Sequence, residues 1–197
     1  MKTTEPIRNK KHVAKLLMYY SKKGQPRNHL LICLCLHTAL RISDVLKLTI
    51  SDVYDFKKRR IKEHITITEK KTRKSKTIAL HKTVIKALST YLASTNTNLA
   101  NLEPNTPLII NPRTQKPITR IQAYRLIRTA AESVDLPHTV SCHSLRKTFG
   151  YHAWRNGTSP AVLMDIYNHN SMATTKRYLS VAQDDKNFVY IGINFIN

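Results

Sequence analysis

The chain has 197 residues, room for one domain with a sizeable core, and 33 Lys and Arg against 12 Asp and Glu leave a formal net charge of +21. That excess, on a composition 41% hydrophobic, points to a polyanionic partner, nucleic acid ahead of an anionic membrane surface. No apolar run is long enough to span a bilayer and Met1 to Lys11 lacks a secretion signal's apolar core; three cysteines without a Cys-x-x-Cys pair argue against a disulfide framework or a thiolate zinc site, and four glycines build neither a Walker loop nor a dinucleotide fingerprint.

Val13, Leu16, Leu17 and Tyr20 recur at helical spacing, and Gly24 with Pro26 ends that helix. His29 to Leu40 reads as an apolar, buried helix. Arg41 to Leu48 reads as a short amphipathic continuation with Ser43 as its N-cap. From Asp52 the period changes. Ile61, Ile65 and Ile67, then Ile78 and Leu80, alternate with polar residues on either side of a basic stretch, Glu69 to Lys76. This predicts a small antiparallel sheet of two or three strands with a charged turn at its tip. Val84, Leu88 and Leu92 return to a helix, which fades into an Asn-rich loop, Thr95 to Asn105. Pro104, Pro107, Pro112 and Pro117 then frame a short buried segment, Leu108 to Ile110.

Helices are predicted over 119–134, 142–156 with Ser141 as cap, 159–167 with Ser159 as cap and Pro160 at N1, and 171–179. Phe188 to Asn197 alternates again, with Val189, Ile191, Ile193 and Phe195 on one face, and predicts a strand. No repeat or internal boundary stands out. The expected fold class is α+β, mostly helical, with residues 1–185 as one domain and 186–197 as a tail. The composition fits a soluble intracellular protein with reduced thiols.

A chain without nucleotide-binding motifs can still act on a phosphodiester. That chemistry needs a nucleophile, cations for the charge growing on the non-bridging oxygens, and an acid for the leaving 5′ oxygen. Tyr178 suits the first role, because an aryl phosphate ester is readily reversed. Arg41 and Arg146 suit the second, since guanidinium grips phosphate oxygens bidentately and stays charged. His143 lies three residues before Arg146, on the same helix face, and suits proton transfer with Tyr178. Taken singly, each has a plainer explanation: a half-buried tyrosine, a surface ion pair, a structural histidine. The other histidines, His12, His29, His37, His64, His81, His138 and His152, read as structural or solvated and show no zinc spacing.

Pattern lifts the set above those explanations. Ala39-Leu40-Arg41-Ile42-Ser43-Asp44-Val45-Leu46-Lys47-Leu48 resembles the first arginine box of the tyrosine recombinases, or phage integrase family. Ser141-Cys142-His143-Ser144-Leu145-Arg146-Lys147-Thr148-Phe149 resembles the second, and Tyr178 follows His169 by the family's usual nine positions. The resemblance runs from about residue 8 to 182. It implies the recombinase catalytic-domain fold and a site-specific enzyme that rejoins DNA through a 3′-phosphotyrosine link, without metal or cofactor. It also implies that His169 hydrogen-bonds the phosphate and that a hairpin lysine is the leaving-group acid. Lys71, before Thr72, fits best, with Lys74 and Lys70 as competitors. The implied partners are double-stranded DNA, further copies of the chain (a dimer per site, a tetramer in synapsis) and an accessory DNA-binding protein. The tail would then dock in cis or on a neighbouring copy.

Two departures stand out. Tyr167-Asn168 replaces the family's usual Leu-Gly before His169, which makes Tyr167 a nearby rival to Tyr178; Asn tolerates the left-handed conformation that glycine would supply. Some forty residues precede Arg41, too few for the family's separate core-binding domain, so the chain resembles a short recombinase or a catalytic fragment. Two alternatives stay open: a DNA-binding regulator with this fold but no activity, and a type IB topoisomerase-like enzyme that relaxes DNA as a monomer.

Overall fold

The structure, a computed structural model, describes residues 4–68, 74–95, 103–136, 140–180 and 183–193. Helix α1 (Lys10–Lys22) is capped by Asn9, whose side chain accepts from the Lys11 amide at 2.8 Å, and it turns Leu16 and Tyr20 into the core. Gly24, left-handed at φ 61°, reverses the chain. Pro26 then opens α2 (Pro26–His37). Proline suits that first position because its missing N–H has no intrahelical partner there. Every residue from Leu30 to Leu36 is buried, so α2 is the central helix, packed on α1 and on two later helices.

α2 stops at His37, earlier than predicted, because Ala39 is left-handed at φ 53°. Arg41 rather than Ser43 takes the N-cap position of α3 (Ile42–Val45), and Ser43 lies inside the helix. α4 (Ile50–Val53) begins with a capping box made by Thr49 and Asp52. The predicted sheet is two separate antiparallel ladders: β1 (Tyr54–Asp55) with β2 (Arg60–Ile61), and β3 (His64–Thr68) with β4 (Ser75–Ala79). In the second, Ile65 faces Ile78 and Ile67 faces Lys76. Ile65 and Ile67 form its buried face, as a period of two requires.

α5 (Lys82–Ser94) buries Val84, Leu88 and Leu92. Leu108 and Ile109 are buried as expected, and the Leu108 amide donates to the Leu48 carbonyl at 2.7 Å. α6 (Arg120–Glu132), α7 (Cys142–Arg155), α8 (Pro160–Tyr167) and α9 (Met172–Leu179) lie close to their predicted spans, capped by Thr119, Ser141, Ser159 and Ser171. Among the described residues no helix is long and apolar enough to cross a membrane.

The tail departs from expectation. Gln183–Gly192 is a helix, α10, so residues 188–192 of the predicted strand are helical, while 194–197 lie outside the described residues. A short apolar run does not separate the two periods, so tertiary contact decides. Asp185, 3% exposed, accepts from Tyr151 Oη at 3.2 Å and pairs with Arg8 at 3.3 Å and Arg155 at 3.7 Å. These contacts tie the start of α10 to α7 and to the N-terminal segment, and the β3–β4 ladder gains no third strand among the described residues.

Most buried side chains form one core around α2. A second, smaller cluster of Ala39, Leu163, Tyr167 and Leu179 lies beneath α7, α8 and α9, with Tyr178 packed against it.

Candidate active site

Arg146 is the hub. It projects from α7, is only 2% exposed, and each part of its guanidinium has a partner. Nη1 donates to the Ala39 carbonyl, Nη2 to the Tyr167 carbonyl at 3.3 Å, and Nε to Tyr178 Oη at 3.2 Å. The left-handed turn at Ala39 lies at this contact. Arg41, just beyond that turn, donates to the same Tyr167 carbonyl at 3.5 Å. Two arginines widely separated in sequence thus converge on one carbonyl and, through Arg146, on the tyrosine hydroxyl.

Tyr178 lies in the last turn of α9, half-buried. His143 Nδ1 is 3.5 Å from its hydroxyl, and the rings of His143 and His169 meet its ring edge-on, each with centroids 5.0 Å away. Burial raises the phenol pKa, and the adjacent Arg146 works against that rise. His143 is pushed down to about 4, by burial first and then by Lys147, Arg146, Arg41 and His169. His143 is nevertheless exposed to solvent, and the surrounding cations also favour its neutral form. That shift keeps the imidazole neutral near pH 7, with Nδ1 within reach of the phenol hydroxyl.

His169 is placed by the turn that ends α8. Asn168 is left-handed at φ 53°, ψ 49°, and the His169 amide donates to the Met164 carbonyl at 2.9 Å. Asn therefore does here what glycine would do. His169 Nδ1 lies 3.1 Å from Thr175 Oγ1, which ties the turn to α9.

Tyr167, the nearby rival to Tyr178, is the last residue of α8. It is fully buried, and its hydroxyl donates to the Arg146 carbonyl at 2.9 Å. Burial drives its pKa far above the usual phenol range. Its ring lies 4.8 Å under the Arg146 guanidinium and stacks on His169 at 5.3 Å, so it is a pedestal for the site.

The structure therefore brings Arg41, His143, Arg146, His169 and Tyr178 together. Lys71 and its competitor Lys70 lie outside the described residues, and Lys74 is exposed at the start of the described part of the hairpin. Sequence reasoning missed several supports. Lys76 Nζ reaches from β4 to the Ile166 carbonyl at 3.1 Å. Lys147 Nζ lies 5.5 Å from the centroid of the Tyr178 ring. Gly150 is where α7 meets Tyr167; a Cβ there would sit 2.1 Å from the Tyr167 hydroxyl. Only Gly150 left a signal, as a glycine inside a helical pattern.

Beside this cluster opens a groove of about 980 Å³, in which Arg120, Ile121 and Tyr124 of α6 face Arg41, His143 and Arg146. A groove lined by three arginines and a histidine, two of which also touch Tyr178, suits a polyanion.

The profile of the phage integrase family matches residues 8–185. A probable integrase/recombinase of Bacillus subtilis (strain 168), YoeC, is 34% identical over 190 residues, spanning 96% of this chain and 97% of that protein. The tyrosine recombinase XerD of Mycobacterium leprae (strain TN) is 29% identical over 84% of this chain, which spans 52% of that relative's length. Among solved structures, XerA recombinase superposes with a TM-score of 0.77 at 23% identity, over 96% of this chain and 66% of that one. The catalytic domain of bacteriophage HP1 integrase gives 0.64 at 21% identity, over 96% and 95%. The chain belongs to the phage integrase family, and its fold is that of the tyrosine recombinase catalytic domain, the class of enzyme that cleaves and rejoins DNA strands.

Proposed function

We propose that this chain cleaves one strand of double-stranded DNA at a specific site by direct attack of Tyr178. The observation that carries the reading is the hydroxyl of Tyr178, held 3.2 Å from Arg146 Nε and 3.5 Å from His143 Nδ1, two residues that line a basic groove. Tyr178 Oη bonds to phosphorus as the bond to the 5′ oxygen breaks. The phenolic proton passes to neutral His143, and the leaving oxygen takes a proton from the hairpin lysine assigned by family resemblance, Lys71. Arg41, Arg146 and His169 balance the charge on the non-bridging oxygens. A 5′-hydroxyl from a partner strand then attacks the 3′-phosphotyrosine and expels Tyr178, so the DNA is rejoined without ATP.

Exchange of strands between two duplexes needs more than one active site. The reading therefore includes two copies on each DNA site and four in the synapse, an accessory DNA-binding protein as a further candidate partner, and a cytoplasmic place of action on the nucleoid. Support for DNA as substrate comes from the +21 charge and from fold neighbours solved with DNA, such as XerH recombinase on its difH substrate.

The test uses nicked suicide duplexes tiling the DNA around the protein's own gene. The expected result is a covalent protein–DNA adduct with the phosphate mapped to Tyr178 by mass spectrometry, and no adduct from Tyr178→Phe, which should still bind. A phosphate on Tyr167 or Tyr190 would refute the assignment. Binding without any adduct across the whole tiling set would favour a regulator.

A further inference from the structure

A second network, unused by the chemistry above, joins the two ends of the chain behind Tyr178. The N-terminal segment lies across α7. Ile7 is 1% exposed, its amide donates to Thr148 Oγ1 at 2.9 Å, and its carbonyl lies 2.9 Å from His152 Nε2. From that anchorage Arg8 reaches the C-terminal side. Its Nη2 donates to the Ser180 carbonyl at 2.6 Å, its Nη1 pairs with the buried Asp185 carboxylate at 3.3 Å, and its guanidinium lies 5.1 Å over the Tyr151 ring. Lys147 closes the strap, donating to the Thr4 carbonyl at 2.7 Å and to Ser180 Oγ at 3.4 Å. Ser180 is the left-handed C-cap of α9, two residues beyond Tyr178.

We propose that Arg8 is a positioning residue for Tyr178. α9 has eight residues, too few to be stable without tertiary support, and its last carbonyls have no partner within the helix. Fraying of that turn would move the tyrosine directly, because Tyr178 lies in it. The guanidinium fork serves two acceptors at once, the Ser180 carbonyl and Asp185, so it fixes the end of α9 and joins it to α10. A lysine ammonium could hold one of the two well, and alanine neither. The consequence for cleavage rests on Tyr178 being the nucleophile; the consequence for the helix does not.

Two measurements on the full chain separate these parts. The first is amide hydrogen exchange without DNA, which reads local opening. Arg8→Ala should speed exchange in α9 by about tenfold or more while α2 exchanges as before, and Arg8→Lys should fall between. The second is single-turnover adduct formation at saturating nicked duplex. Its rate should drop about 10- to 100-fold in Arg8→Ala, as expected of a displaced reacting group, with affinity changed far less. Arg8→Lys should recover part of the rate.

Unchanged α9 exchange in Arg8→Ala overturns the proposal. So does a normal rate at saturation with weakened binding, which would make Arg8 a DNA contact. Equal acceleration in α2 and α9 would make it a general stability residue. If Arg8→Ala does not fold, Arg8→Lys decides on the same readouts. If the wild type forms no adduct on any duplex, the cleavage reading fails and exchange alone decides the role of Arg8.

Discussion

Arg146 is the clearest case of a residue whose surroundings explain its chemistry. It is buried, yet its donors meet two carbonyls and the Tyr178 hydroxyl. Its position is therefore set before any substrate arrives, which is what transition-state stabilisation requires. Arg146→Ala should lower the rate of adduct formation by about 10²-fold or more, with a much smaller loss of binding, because many other basic residues still hold the duplex. A variant that binds poorly but cleaves normally at saturation would show that Arg146 only positions DNA. His143 offers a second test. Its pKa is lowered to about 4 by burial and by neighbouring cations, so in the DNA-free protein its NMR titration should lie far below that of an ordinary histidine, near 6.5. Arg41→Gln removes one of those cations and should move the midpoint upward. Between those two pH values the unfolded chain binds a proton at this residue that the folded chain refuses, so His143 lowers stability as pH falls through that window. A midpoint at or above 6.5 would contradict the account of the site.

At the scale of elements, the site depends on how closely three helices meet. Gly150 lets α7 approach the ring of Tyr167 on α8, and Leu179 of α9 closes the same contact. Gly150→Ala improves helix propensity by about 1 kcal/mol, but the added carbon would sit 2.1 Å from the Tyr167 hydroxyl and 2.8 Å from Leu179 Cδ2. Forced overpacking costs about 1–3 kcal/mol. The variant should therefore be less stable in urea titration, and adduct formation should suffer because Tyr167 carries Arg146 and His169. Equal or greater stability would mean that the three helices can move apart freely. The left-handed turns at Ala39 and Asn168 work in the same direction: each breaks a helix where an arginine or a histidine must turn toward the site.

For the molecule as a whole, charge decides. A net +21 implies many phosphate contacts, so affinity for duplex DNA should fall log-linearly and steeply as salt rises, by about 10³-fold or more between 50 and 200 mM. Tight binding that ignores salt would contradict this. The sequence by itself determined the class of partner, because net charge does not depend on folding. It also determined most helices, through apolar period and the Ser caps at 141 and 159, and it marked Arg41, His143, Arg146, His169 and Tyr178 through their motifs. Convergence was left to the tertiary structure. Local pattern could not reveal that Tyr167 is buried as a pedestal, that Arg41 and Arg146 share one carbonyl, or that Lys147 stands behind Tyr178. Nor could it decide α10: the alternation at 188–197 suits a strand, but Asp185 upstream finds Tyr151, Arg8 and Arg155, and no neighbouring edge among the described residues takes up a strand. Local pattern records which face of a segment is apolar; only the packed chain determines which charged and aromatic groups that face will meet.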